Sequence, residues 1–273
     1  MSLDSQRTDT IDVVISDDSD GEDSARTREV AETFGCRYVV GPRRGLYANR
    51  NALALAARTS HIRTMDDDHE FPPGHIDACL AAIVSDPDAV WVLSELRPGD
   101  PTGDGRGTPP GQLNARGFSQ PPAPGGPCWA IADGATIYPR SIFTRGHRLV
   151  EDFTYGAAYL EFGSRLHSAG FRIQYLPDTY VVHHWEPRKN FDRRTDLAST
   201  FFAMLAHSLV HQRTPRNVAL MIAEMGKQFV LHPIIVPGSL RRGLAVYRRY
   251  GPMVRNPACG HPTSWPSRAR PAE

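Results

Sequence analysis

Residues 11–16 (IDVVIS) form a short β-branched run that stops at Asp17, Asp18, Ser19, Asp20 and Gly21. This pattern predicts a buried strand followed by a turn. Residues 24–34 place Val30, Ala31 and Phe34 on one side of a predicted helix, and 36–40 read as a second strand ending at Gly41 and Pro42. An Ala/Leu-rich helix is predicted over 48–58, and a third strand over 61–65 runs into Asp66, Asp67 and Asp68. Pro72 and Pro73 open a helix over 74–84, and 89–93 form another strand. Strands alternating with helices at this pace predict an α/β sheet, in which ligands gather beyond the carboxyl ends of the strands. Two acidic clusters, at 17–20 and 66–68, stand at such ends.

The pattern then lapses. Gly and Pro dominate 97–127, which reads as a long loop, either a functional lid or a disordered insertion. Periodicity returns with a strand over 129–138, a helix over 155–169 and extended segments at 171–176 and 179–183. Residues 196–250 carry long amphipathic helical patterns, with an apolar face over 198–210, and the Pro-containing tail from 251 is expected to fray. The implied organisation is an α/β domain over 1–185, a helical region over 186–250 and a tail over 251–273.

Composition narrows the classes. The 273 residues hold 31 Lys+Arg against 30 Asp+Glu, a net charge of +1, which argues against a nucleic-acid-coating protein. The cysteines (Cys36, Cys79, Cys128 and Cys259) are far apart and contain no CxxC pair, so neither a zinc framework nor a disulfide scaffold is expected. There is no signal-like opening and no stretch of about 18 apolar residues. The expected location is cytoplasmic, with peripheral membrane contact left open.

The strongest chemical feature is the run Asp66, Asp67, Asp68. Three successive carboxylates repel one another, and a hard divalent cation such as Mg²⁺ or Mn²⁺, with substrate phosphates, would neutralise them. A solvated acidic turn is the alternative for the run taken alone. Around it, Asp17 and Asp18 after a strand, Arg44-Gly45 with Ala48-Asn49-Arg50-Asn51, and Arg165-Leu166 through Gly170, Pro177 and His183-His184 occur in order. Together these blocks resemble glycosyltransferase family 2, whose members use the GT-A nucleotide-sugar-binding fold, over about residues 11–95 and 128–185. The resemblance implies a GT-A-like, Rossmann-like mixed sheet flanked by helices, with a helical C-terminal extension.

It also implies roles. Asp17, Asp18, Arg44, Arg50, Asp66 and Asp67 would bind the nucleotide-sugar. Asp66, Asp68 and His184 would hold the metal, although neighbouring strand residues face opposite sides, so whether His183 or His184 points inward stays open. From their own positions, Trp129 and Asp133 just after the Gly/Pro-rich stretch and Trp185 beside the histidines would line the acceptor site, with core packing the alternative for Trp129. The resemblance implies transfer of a sugar from a nucleotide-diphosphate donor to a hydroxyl acceptor, with inversion; the acceptor is a small molecule, a glycan or a lipid-linked species.

The chain departs from the family pattern in two places. The family opens with a further strand and helix where this chain has only residues 1–10. The family's Glu-Asp pair, source of the catalytic base, aligns with Ala158 and Tyr159, which leaves Asp152 and Glu161 as base candidates. Glu161 is also spaced for an i,i+4 ion pair with Arg165, and Asp152 for a turn or cap. These departures keep a second reading alive, a catalytically impaired nucleotide-sugar-binding or scaffold protein. Nucleotidyl transfer is weaker, because no Gly-rich, Lys-bearing loop lies near the N-terminus. The basic amphipathic helices of the C-terminal region would serve a membrane surface, a homodimer interface or core closure.

Overall fold

The computed structural model describes residues 2–99, 107–122, 128, 134–184 and 192–255. After a 3₁₀ turn (Asp4–Gln6), β1 (Val14–Asp17), α1 (Gly21–Thr33), β2 (Arg37–Val40), α2 (Leu46–Ala56), β3 (His61–Thr64), β4 (His69–Glu70), α3 (His75–Ser85) and β5 (Val90–Leu96) follow. The expected loop holds a small antiparallel hairpin, β6 (Gln112–Leu113) with β7 (Ser119–Gln120). The chain continues through β8 (Thr136–Pro139), α4 (Arg140–Thr144), α5 (Ala158–Ser168) and β9 (Ile173–His183). It ends in α6 (Arg193–Ala206), a π-helical turn (His207–His211), α7 (Pro215–Leu231) and α8 (Val236–Arg255), which carries on past the expected end at residue 250.

The main sheet has the order β3-β8-β5-β9-β4, with β5 and β9 parallel and the other pairs antiparallel. β1 and β2 form a separate parallel pair. The two predicted extended segments of the 171–183 region are one strand, β9, whose register with β5 shifts between Val92 and Ser94. β4 was not foreseen. Two residues are too short to show a period, and pairing with the end of β9 alone makes them a strand.

Alternation along β5 divides the core into two layers. Val90 and Val92 face a cluster containing Phe143, Phe162 and Phe201, and Trp91 and Leu93 face Phe71, Ile76 and Ala82. The C-terminal helices belong to the first cluster. Phe201 and Phe202 on α6 and Val246 and Tyr250 on α8 are buried against it. Each such aromatic ring contributes about 1.5–3 kcal/mol of burial. α6 starts where Asp192 caps the backbone N–H groups of Arg194 and Thr195, and α7 where Thr214 precedes Pro215. Among the described residues no helix is long and apolar enough to cross a membrane, and Cys36, Cys79 and Cys128 are all unbridged.

Candidate metal and nucleotide site

Three strand ends and one helix start build the site. At the end of β1, Asp17 accepts hydrogen bonds from Ser19 N (2.8 Å), Ser19 Oγ (2.5 Å) and Tyr38 Oη (2.9 Å). Burial works to raise this carboxyl, and the donors outweigh it, holding it below the usual value. Asp18 accepts from Arg43 N at 2.9 Å, fixing the turn that leads to α2. On α2, Asn49 bonds Ser16 of β1. The next residue, Arg50, is buried and reaches Asp66 beyond β3 at 2.7 Å.

Asp68, His69 and His183 form the centre. β4 pairs with β9 so that His69 stands opposite His183, their rings edge to face at 4.7 Å. One possible ligand atom from each of the three residues lies within 4.8 Å of the others. Asp68 Oδ2 is 3.2 Å from His183 Nε2, and Glu95 of β5 stands behind His183 at 3.5 Å from Nδ1. Such a carboxylate orients an imidazole and strengthens it as a ligand. The Glu95 carboxylate facing Nδ1 raises the pKa of His183 against the opposing effect of burial. Burial lowers that of His69, keeping this ring in the neutral form that binds metals. Both ring nitrogens of His69 and Oδ1 of Asp68 are buried without a hydrogen-bond partner. A divalent cation fits this donor set, because it would satisfy polar atoms that the protein leaves unpaired. Gly134, with φ +87°, closes the site. A Cβ there would stand 2.7 Å from His69 Cε1 and 3.2 Å from Asp66 Oδ2.

Several expected residues take other places. His184 is half exposed and its Nε2 bonds Glu70 at 2.8 Å, so the inward histidine is His183; β-strand alternation turns its neighbour away. Asp66 faces Arg50 and lies outside the Asp68–His69–His183 group. Asp67 is exposed, and Arg44 is half exposed on Glu151 at 2.8 Å. Neither base candidate is open to a substrate. Glu161 is fully buried and bonds Arg165 (3.0 and 3.3 Å) and His211 (3.2 Å). Asp152 is held by Arg249 and by Tyr250 Oη (2.8 Å). Trp129, Asp133 and Trp185 lie outside the described residues. The sequence reading missed His69 and Glu95; a histidine directly after the acidic run was the only signal for the former.

One further carboxylate is coupled electrostatically to Tyr159, as Glu95 is. Asp196, in the first turn of α6, has no hydrogen bond to its side chain among the described residues, and burial raises its pKa. It acts electrostatically on Tyr159, whose phenol is pushed up to about 12, first by burial and then by Glu95.

The model of the family described as glycosyl transferase family 2 matches residues 2–146. Among solved structures the chain is similar to GalNAc-T7 with UDP, GalNAc and Mn²⁺, with a TM-score of 0.60 and 14% identity over 83% of this chain and 52% of that one. It is also similar to S. aureus TarS 1-349 in complex with UDP-GlcNAc (0.59, 13%, 90% and 80%). A third likeness is to the mannosyltransferase PcManGT from Pyrobaculum calidifontis in complex with GDP-Man and Mn²⁺ (0.51, 16%, 90% and 68%). At these identities the likeness carries the fold, which is GT-A as expected. The chain spans about half the length of the GalNAc-T7 chain. No curated protein matches it in sequence.

Proposed function

Because this chain belongs to glycosyl transferase family 2, we propose that it transfers a sugar from a nucleotide-diphosphate donor to a hydroxyl acceptor. The observation that carries the reading is the convergence of Asp68, His69 and His183, with unpartnered donor atoms, beside the Arg50–Asp66 pair. That UDP, UDP-GlcNAc and GDP-Man are bound in the similar structures supports a nucleotide-sugar donor. The Mn²⁺ in two of them supports a divalent metal.

Asp68, His69 and His183 would hold the metal, with Glu95 orienting the His183 ring. A divalent cation bound there would neutralise charge on the diphosphate and favour its departure. Asp17, kept ionised by its hydrogen bonds, accepts from the ribose or base of the donor. Arg50 holds Asp66 at the edge of the same site, and its planar fork suits both carboxylate and phosphate. We assign the acceptor's proton to Asp196, the carboxylate near Tyr159 with a raised pKa, with inversion at the sugar carbon. Apolar residues exposed on α7 and just after it (Ile222, Phe229, Val230, Leu231 and Ile234) suit peripheral contact with a membrane that carries a lipid-linked acceptor.

A donor panel of UDP- and GDP-sugars, followed by thermal shift with and without Mn²⁺, tests the reading. A donor at 100 times its Kd stabilises the fold by about 2.7 kcal/mol. This gain should require Mn²⁺ and vanish in Asp68→Ala and His183→Ala. Donor binding indifferent to chelator and to both variants would refute the metal assignment. Binding without release of nucleoside diphosphate would favour the scaffold reading.

A further inference from the structure

β3 carries one cation into an apolar interior. Ile62 belongs to the core cluster that contains Tyr47 and Ala54 of α2. Strand alternation puts its neighbour Arg63 on the opposite face, against Phe71 and α3. The guanidinium carbon lies 4.5 Å from the centre of the Phe71 ring, and Nη1 lies 4.0 Å from Cys79 Sγ. Nη1 also donates to His75 Nε2. His75 is buried, with Nδ1 2.7 Å from Thr179 Oγ1. Accepting at Nε2 leaves the proton on Nδ1, so this ring is neutral and donates to Thr179. Burial, and then the Arg63 charge, push its pKa down to about 3. His75 thus gives Arg63 an acceptor and no counter-charge.

The rest of the fork is unmet. Arg63 is partly exposed as a residue, but its Nε and Nη2 are buried without a hydrogen-bond partner. Burial pushes its pKa down, and the opposing influence comes from the Cys79 thiol, not from a carboxylate. Burial in turn raises that thiol, which stays protonated and supplies no anion. Arg63 lines a cavity of about 490 Å³, whose walls include Leu53, Ile62, Phe71, Ile76, Leu80 and Ile83. The acidic residue of this lining, Asp12, is already paired with Arg37 at 2.8 Å. Its histidine, His61, is held by the Pro87 carbonyl at 2.8 Å.

We propose that this cavity binds a free straight-chain fatty acid, its carboxylate gripped by Nε and Nη2 of Arg63 and its tail packed against α2 and α3. Nε–H and the terminal N–H beside it point the same way, and that edge of the guanidinium holds both oxygens of a carboxylate. A monocarboxylate brings the one negative charge that Arg63 lacks. A phosphate monoester would bring a second, and among the described residues the lining has no other Lys or Arg to meet it. A fatty alcohol would fill the same volume and leave the buried cation uncompensated. A sugar or nucleotide would strip water from its hydroxyl groups against apolar walls. Folding has already taken the Arg63 fork out of water and fixed it, so pairing with an anion carries little further cost on the protein side. The site is separate from the metal centre and does not depend on it.

Titration calorimetry of the full chain with dodecanoate, below its micelle-forming concentration, tests this. Nucleotide and metal are left out, so its failure leaves the proposed function untouched. One dodecanoate should bind per chain, and dodecanol and acetate should each bind at least about tenfold more weakly, the first lacking the charge and the second the tail. Arg63→Met keeps an apolar stem and removes the fork, and should bring acid and alcohol to equal affinity. Ile83→Trp fills the cavity from α3 with Arg63 in place, and should abolish binding of both; it stands as the test if Arg63→Met does not fold. The proposal is overturned if dodecanol binds the wild type as tightly as dodecanoate, or if folded Arg63→Met still prefers the acid. It is overturned as well if Ile83→Trp binds dodecanoate like the wild type, or if uptake exceeds one per chain or follows self-association.

Discussion

Glu161 separates a structural reading from a catalytic one. It is fully buried, as is Arg165, and it accepts from Arg165 Nε, from Arg165 Nη2 and from His211 Nε2. Arg165 further donates to the Arg148 carbonyl at 2.7 Å and stacks its charge on Phe162 at 5.2 Å. In Glu161→Ala the guanidinium stays buried without its counter-ion, which costs about 3–5 kcal/mol. For a chain of this size each kcal/mol shifts Tm by about 2–4 °C, so a fall of roughly 6–20 °C is expected. Replacing both partners, Glu161→Met with Arg165→Met, removes the orphaned charge and should restore part of the loss. The remaining deficit, about 1–3 kcal/mol for each group, comes from the abandoned Arg148 carbonyl and from His211 Nε2, which loses its acceptor. Thermal and urea unfolding measure both variants, and nucleoside diphosphate release is followed well below their Tm. The reasoning fails if Glu161→Ala keeps the wild-type Tm, or if the folded double variant has lost turnover, since a base would then have been removed.

The same pair sets a pH dependence. Burial works to raise the Glu161 pKa, but Arg165 and His211 outweigh it and hold it below 4.5. Its contribution is therefore present above the unfolded value of about 4.3 and is lost as pH falls through the folded value. Tm should drop more steeply below about pH 4.3 in the wild type than in the double Met variant, and equal slopes would refute this. Asp196→Asn should lower turnover by about 10²–10⁴ while donor affinity holds, as measured by product release beside calorimetric donor binding. Val230→Asp with Ile234→Asp, two exposed positions, should abolish co-sedimentation with anionic vesicles and leave Tm unchanged; binding that persists would remove the membrane proposal.

The chain's own pattern determined the alternating strands and helices, the two acidic clusters at strand ends and the amphipathic C-terminal helices, because these are written as local periodicities and turn residues. It also placed Asp17, Arg50 and Asp68 within recognisable blocks. Only the tertiary structure decided which histidine faces Asp68 and His69. β4 exists solely because it pairs with β9, and that register turns His183 toward Asp68 and His69 while His184 faces Glu70. The Glu161–Arg165 pair was legible as an i,i+4 spacing, but the tertiary structure alone brought His211 to Glu161 and Arg249 to Asp152, from 50 and 97 residues away along the chain. Pairing between distant residues depends on register and burial, which no local period encodes.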